Sequence, residues 1–178
     1  MIALFAVFCR IATAGEGQPS AQLHPSAIVA DLGLHVIGLG YQRTVTDHVS
    51  TQGTVSLYVP WTASQELLSG GGGKGDAAGF VVRGRAFYHP LGKAPCGLWL
   101  SPFAQAGFAS GTRAGVKAYG PAIAAGASVG YTAPIGKHLM LMFGGGGQWH
   151  VVTIPGGGGS PSLAGFWPQI DLNVDWAF

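Results

Sequence analysis

Arg83 and Arg85 are two residues apart, and Asp171 and Asp175 are four apart. In an extended strand an even spacing puts both members on one face. Two cations on one strand and two anions on another are suited to pairing across an interior. Other residues invite a catalytic reading. His150 is the best available base, with Ser160, Ser162 and Glu66 as a distant nucleophile and acid set. Acyl transfer needs these groups within hydrogen-bond reach of one another. Gly70–Gly73 precedes Lys74 as in a phosphate-binding loop, but Gly75 stands where that loop needs Ser or Thr, and no helical pattern follows. Gly156–Gly159, flanked by Pro155 and Pro161, reads as a loop, and Gly144–Gly147 as a close-packing point within a strand.

Composition narrows the choice. Charged residues make up 9% of the 178, against about 25% in an ordinary soluble domain. Hydrophobic residues make up 48%, yet no run reaches the ~18 apolar residues of a membrane helix. Apolar content this high, dispersed along the chain, is what a transmembrane barrel needs. A net charge of +2 with no basic stripe argues against a nucleic-acid partner. The six His have no metal-ligand spacing, so neither a metal nor another cofactor is expected.

The elements that position these residues follow from alternation. Ile170, Leu172, Val174, Trp176 and Phe178 alternate with Asp171, Asn173, Asp175 and Ala177, giving one apolar and one polar face. Eight strands are predicted: 27–32, 35–45, 51–60, 78–89, 97–109, 120–132, 137–151 and 166–178. The first depends on a split near Gly33-Leu34, made because single-chain bacterial barrels have an even strand number. Short turns are expected at Asp47-His48, Pro90–Lys93 and Pro134–Lys137, and long connections at Trp61–Ala77, Ser110–Tyr119 and Thr153–Gly165. Residues 1–14 read as a secretory leader with an Ala12-Thr13-Ala14 cleavage site. No Lys or Arg precedes its apolar stretch, which suggests a start internal to a longer leader. Residues 15–26 read as a disordered lead-in and 27–178 as the barrel. Cys9 leaves with the leader, so Cys96 remains as a single thiol.

The apolar/polar alternation closing on Phe178, with Trp176 two residues before, resembles the terminal strand of Gram-negative outer-membrane β-barrel proteins. From 27 to 178 the chain is similar to the small eight-stranded barrels of the OmpA/OmpX type, and more closely to a poorly characterised branch of them. Phe87-Tyr88-His89-Pro90 and Gly97-Leu98-Trp99-Leu100 carry that second likeness loosely. The resemblance implies an all-β, antiparallel, up-and-down transmembrane barrel with short periplasmic turns and longer outer loops. It implies residence in the bacterial outer membrane. It also implies that Leu172, Val174, Trp176 and Phe178 form the signal read by the barrel-assembly machinery.

Charge decides which face meets lipid. A Lys or Arg on the lipid face at the midplane costs roughly 2–4 kcal/mol, so Arg83 and Arg85 must point inward. The expectation is an interior polar network of Arg83, Arg85, Asp171 and Asp175, joined by Asp31, Gln105 and Gln148, since an eight-stranded interior is just wide enough for side chains to fill. A conductive or ligand-binding lumen is the rival. Trp61, Trp149, Trp167, Tyr41, Tyr88, Tyr131 and Trp176 fall near strand ends, where interfacial girdles form. The expected protein is a monomeric surface or structural barrel, not an enzyme. Its partners are outer-membrane lipid and lipopolysaccharide, contacted in part through the long loops. Some outer-membrane barrels are lipid A deacylases, which makes a lipid A-modifying enzyme the alternative, with a small pore as another. However, His150 is followed by Val151-Val152-Thr153, not by the His-x-Ser-Asn-like run of the deacylases, and is read as a solvated or girdle residue.

Overall fold

The computed structural model describes residues 25–34, 36–58, 78–113, 116–153 and 162–178. The leader, most of the lead-in, Trp61, Glu66, the Gly70–Lys74 run, Gly156–Gly159 and Ser160 lie outside these residues. Eight strands follow in order: β1 (Ser26–Asp31), β2 (Val36–Thr46), β3 (Val49–Tyr58), β4 (Ala78–Tyr88), β5 (Gly97–Arg113), β6 (Val116–Ile135), β7 (Leu139–Thr153) and β8 (Ser162–Ala177). Each pairs antiparallel with the next, and β1 pairs with β8, closing an up-and-down barrel. Closure leaves every strand a partner on both sides along the shared height, which removes the exposed edges of an open sheet.

The alternation fixes which side chains enter the lumen. On β3, Ser50, Gln52, Thr54, Ser56 and Tyr58 are buried while Thr51, Gly53, Val55 and Leu57 are exposed. On β8, Gln169, Asp171, Asn173, Asp175 and Ala177 are buried, with Ile170, Leu172 and Trp176 exposed. Met140, Met142, Gln148 and His150 of β7 and the odd residues of β4 and β5 likewise face in.

Three connections differ from the sequence reading. The stretch 110–119, expected as a long loop, continues the ladder: Ser110↔Tyr119 through Arg113↔Val116 pair directly, making a tall β5–β6 hairpin. The β4–β5 connection runs from His89 to Cys96, beyond Pro90–Lys93, and is tied back by Ala94 N donating to Asp47 O at 2.7 Å. The β6–β7 turn is Gly136–His138, because Pro134 and Ile135 still pair with Met140 and Leu139. Gly136 there takes φ +77°, a backbone state costly for other residues. The chain reverses at 47–48, 89–96 and 136–138 on one end of the barrel, which also carries Ser26 and Phe178. Tyr58, Ala78, Thr153 and Ser162, where β3, β4, β7 and β8 end or begin, are at the other end.

Candidate functional site: a charged brace across the lumen

Arg85 on β4 and Asp171 on β8 meet in the middle of the lumen. Arg85 Nη1 donates to Asp171 Oδ1 and Nη2 to Oδ2, both at 2.9 Å. This fork geometry is the strong form of a carboxylate–guanidinium contact. Two more donors are placed: Nη2 on Ser128 Oγ at 2.6 Å and Nε on Ser101 Oγ at 3.1 Å. Arg83, two residues up the same face, gives Nε to Gln105 Oε1 at 3.0 Å and Nη1 to Asp31 Oδ2 at 3.3 Å, with Asp171 Oδ1 4.0 Å from the same nitrogen. All four side chains are at most 1% exposed. Buried ions need such pairing, because each unpaired one costs several kcal/mol.

Neutral groups complete the brace. Gln169 Nε2 donates to Asp171 Oδ1 at 2.8 Å, and Thr54 Oγ1 lies 3.5 Å from Asp31 Oδ2. Oriented to suit its neighbours, the Asn173 amide donates to Asp31 Oδ1 at 3.3 Å and accepts from Gln52 Nε2 at 3.1 Å. Aromatic rings wrap the guanidinium groups. Arg85 lies 4.9 Å from the Phe87 ring centre, 5.6 Å from Trp99 and 5.4 Å from Phe103, and Arg83 lies 5.3 Å from Phe103. In a desolvated site each such contact contributes on the order of 1–2 kcal/mol.

Asp175 does not join the brace. It is fully buried on the same face of β8, but neither carboxylate oxygen has a hydrogen-bond partner. Its strand neighbours Val29 and Met140 are apolar. Gln105 belongs to the brace through Arg83. Gln148 is buried on the lumen face, and its Oε1 is unpaired.

Apolar clusters lie in the lumen on both sides of the brace. Toward the short-turn end Phe87, Trp99 and Met142 form one cluster, and Ala27, Met140 and Ala177, with Cys96 against them, form a second. Phe87 and Trp99 pack edge to face at 5.3 Å. Above the brace, Val36, Tyr58 and Val81 form a third cluster. The indole of Trp99 occupies the space a side chain at Gly130 or Gly144 would need, which explains glycines within two strands. The sequence signal for Phe87 was its odd parity with Arg83 and Arg85. Trp99 had no charged neighbour to reveal its side.

Of the catalytic candidates, His150 and the backbone of Ser162 are among the described residues. His150 is 3% exposed, on the lumen face of β7, edge to face with Tyr58 at 5.7 Å. This corrects its reading as a solvated or girdle residue: it shares the even parity of Gln148. Ser162 begins β8 opposite Thr153, while Ser160 and Glu66 lie outside the described residues. Among the described residues no three His, Cys, Asp or Glu lie together as a metal-ligand set.

The outer face is the inverse of the lumen. Ile28, Leu39, Val55, Leu57, Val82, Leu100, Phe108, Ile123, Val129 and Ile170 are all exposed. Among strand residues whose side chains are described, Arg43 is the one outward-facing charge. Tyr41, Tyr88 and Trp176 are exposed toward the short-turn end, and Phe80, Phe108, Trp149 and Phe166 toward the other. Leu139 pairs with Trp176, and Trp149 lies ten residues further along β7. At ~3.3 Å per residue and a tilt of about 40°, that separation is about 25 Å, the height of an outer-membrane apolar band. Trp167, expected in a girdle, has the lumen parity of Gln169 and is half-buried.

Comparison with protein-family models and with curated proteins finds no match to the chain.

Proposed function

We propose that the chain is a small outer-membrane β-barrel protein of Gram-negative bacteria, similar to the OmpA/OmpX type, with a structural or surface-interaction role and a plugged interior. The observation that carries this reading is the inversion of polarity. Arg83, Arg85, Asp31 and Asp171 are inside, while an apolar exterior is exposed on all eight strands. In water such an exterior drives aggregation. In lipid it is the required surface, and the closed sheet satisfies the backbone there. The brace then has a mechanical role, holding β4 to the opposite wall so that no aqueous path opens. That packing supports a plug over a pore, and the burial of His150 against Tyr58 inside the barrel supports a non-enzymatic role over lipid A modification. Leu172, Val174, Trp176 and Phe178 line the outer face of β8 and are our proposed signal for the barrel-assembly machinery. Lipid and lipopolysaccharide are the proposed surroundings, with the protein as a monomer.

The test is fractionation after expression in a Gram-negative host, followed by electrophoresis with and without heating. The expected result is recovery with the outer membrane and a faster-migrating unheated band. A folded monomer soluble in detergent-free buffer would overturn the proposal.

A further inference from the structure

Asp175 is the buried charge that the brace leaves over. Among the described residues the lumen holds two guanidinium groups, Arg83 and Arg85, and three carboxylates, Asp31, Asp171 and Asp175. With the histidines neutral, one negative charge is unmatched. Asp175 is 0% exposed, and neither of its oxygens meets a donor of the chain. A carboxylate buried in this way is unstable unless a positive charge joins it.

The polar neighbours of Asp175 add oxygens, not donors. Asn173 precedes it by two residues on the same face of β8 and accepts from Gln52 Nε2 at 3.1 Å. The Gln52 side chain therefore reaches from β3 to the lumen face of β8. Gln42 is the cross-strand partner of Gln52 and gives its Nε2 to Ser50 Oγ at 3.2 Å. Both amide nitrogens are thus committed, and both Oε1 atoms are buried without a donor. Asp175, Gln42 and Gln52 bring four unmatched acceptor oxygens to the lumen beside the brace, toward the short-turn end. Asp31 is two residues on from Val29, the cross-strand partner of Asp175, and is already committed to Arg83 and Asn173.

Three kinds of occupant suit such oxygens, and charge separates them. Water supplies donors but no charge. A proton on Asp175 supplies the charge, but only one donor, so at least one amide oxygen stays unmatched. A monovalent cation supplies both, because carboxylate and amide oxygens together replace its hydration shell. A divalent ion would leave the lumen with excess positive charge, and softer metals need the nitrogen or sulfur ligands that these residues do not offer.

We propose that Asp175, Gln42 and Gln52 bind one monovalent metal cation, of the sodium or potassium class, inside the barrel. The site concerns the lumen alone and goes beyond the membrane reading.

The test measures urea unfolding of the full chain in detergent micelles while choline chloride is exchanged for sodium or potassium chloride at one ionic strength. Choline is too bulky for a packed lumen and serves as the blank. A cation that binds only the folded protein raises the unfolding midpoint as its concentration rises. At least one of the two metal ions is expected to raise the midpoint and to saturate. Asp175→Asn, which keeps the shape and removes the charge, is expected to give the same midpoint in all three salts. Gln42→Leu and Gln52→Leu are each expected to increase severalfold the salt needed for half the effect. Asp47→Asn, at an exposed turn, is the control and keeps the full response. A midpoint indifferent to both metal ions would mean that a proton or water fills the place, and overturns the proposal. A response that survives Asp175→Asn overturns the assignment to this site. If that variant does not fold, an unchanged half-point in both glutamine variants overturns it in the same way.

Discussion

Arg85 and Asp171 clamp β4 to β8 across the full width of the lumen, with two parallel bonds of 2.9 Å. The strands are four places apart in a ring of eight, so they are opposite walls. Removing one partner leaves the other ion buried without compensation, at about 3–5 kcal/mol. Asp171→Ala and Arg85→Ala are each expected to lose stability of that order in urea unfolding from detergent micelles. Arg85→Met with Asp171→Leu is expected to lose much less than the sum, because apolar residues of similar volume often replace a buried pair at little cost. Additive losses would show that the two side chains do not act together.

Trp99 depends on two glycines in the neighbouring strands. A Cβ at Gly144 would collide with Trp99 Cη2 and lie 2.8 Å from Trp99 Cζ2 and from Val129 O. Overpacking of this kind costs about 1–3 kcal/mol. Gly144→Ala is expected to lower the unfolding midpoint, and Trp99→Phe in that background to recover part of the loss. Gly145→Ala is the control, since its nearest atom, Gln169 O, would be 3.6 Å away. An equal effect at 144 and 145 would refute the account.

Much of this was legible in the sequence because a period of two leaves few choices. Arg83 and Arg85 turn inward as their charge requires, and Phe87, with the same parity, is buried beside them although the expected network did not include it. The even-number argument likewise recovered β1 as a strand of its own. What stayed hidden was phase and reach. His150 and Trp167 share the parity of Gln148 and of Asp171, yet their residue types and their places near strand ends pointed to an interfacial girdle instead. The Ser-Gly-Thr-Arg-Ala-Gly run at 110–115 reads as loop by composition, yet its flanks pair because each hairpin arm extends its neighbour. Asp175 shares a face with Asp171, but four residues of rise carry it past the guanidinium groups. Only the register could show that.

Cys96 makes stability fall at alkaline pH. Its side chain packs on Ala27, Met140 and Ala177, and burial pushes the thiol up to about 11 from 9.0. Below pH 9 both folded and unfolded thiols hold their proton, and the contribution of this burial is complete. Between about 9 and 11 the unfolded chain releases the proton and the folded one does not, so stability declines with rising pH. Measured as the difference from Cys96→Ala across pH 8 to 11, the decline is expected only in the Cys-containing protein. A thiol reagent at pH 8 is likewise expected to react far faster after unfolding. Parallel pH curves for the two proteins would show that the thiol titrates normally.

Charges placed on the outer wall distinguish lipid from water. Val82 faces out from β4 between Val55 and Ala106, and it is half exposed. In a bilayer, Val82→Arg is expected to cost about 2–4 kcal/mol, because a guanidinium near the midplane must be dragged to the interface or hydrated there. Arg43 is near the short-turn end of β2, paired with Ser26 and Thr51, where it can reach headgroups. Arg43→Leu is therefore expected to change stability by less than about 1 kcal/mol, the range found near the interfaces. Reversible unfolding from lipid vesicles gives both values. A harmless Val82→Arg would mean that water, not hydrocarbon, bathes the apolar wall, and the buried arginines would then need another explanation than the cost of lipid exposure.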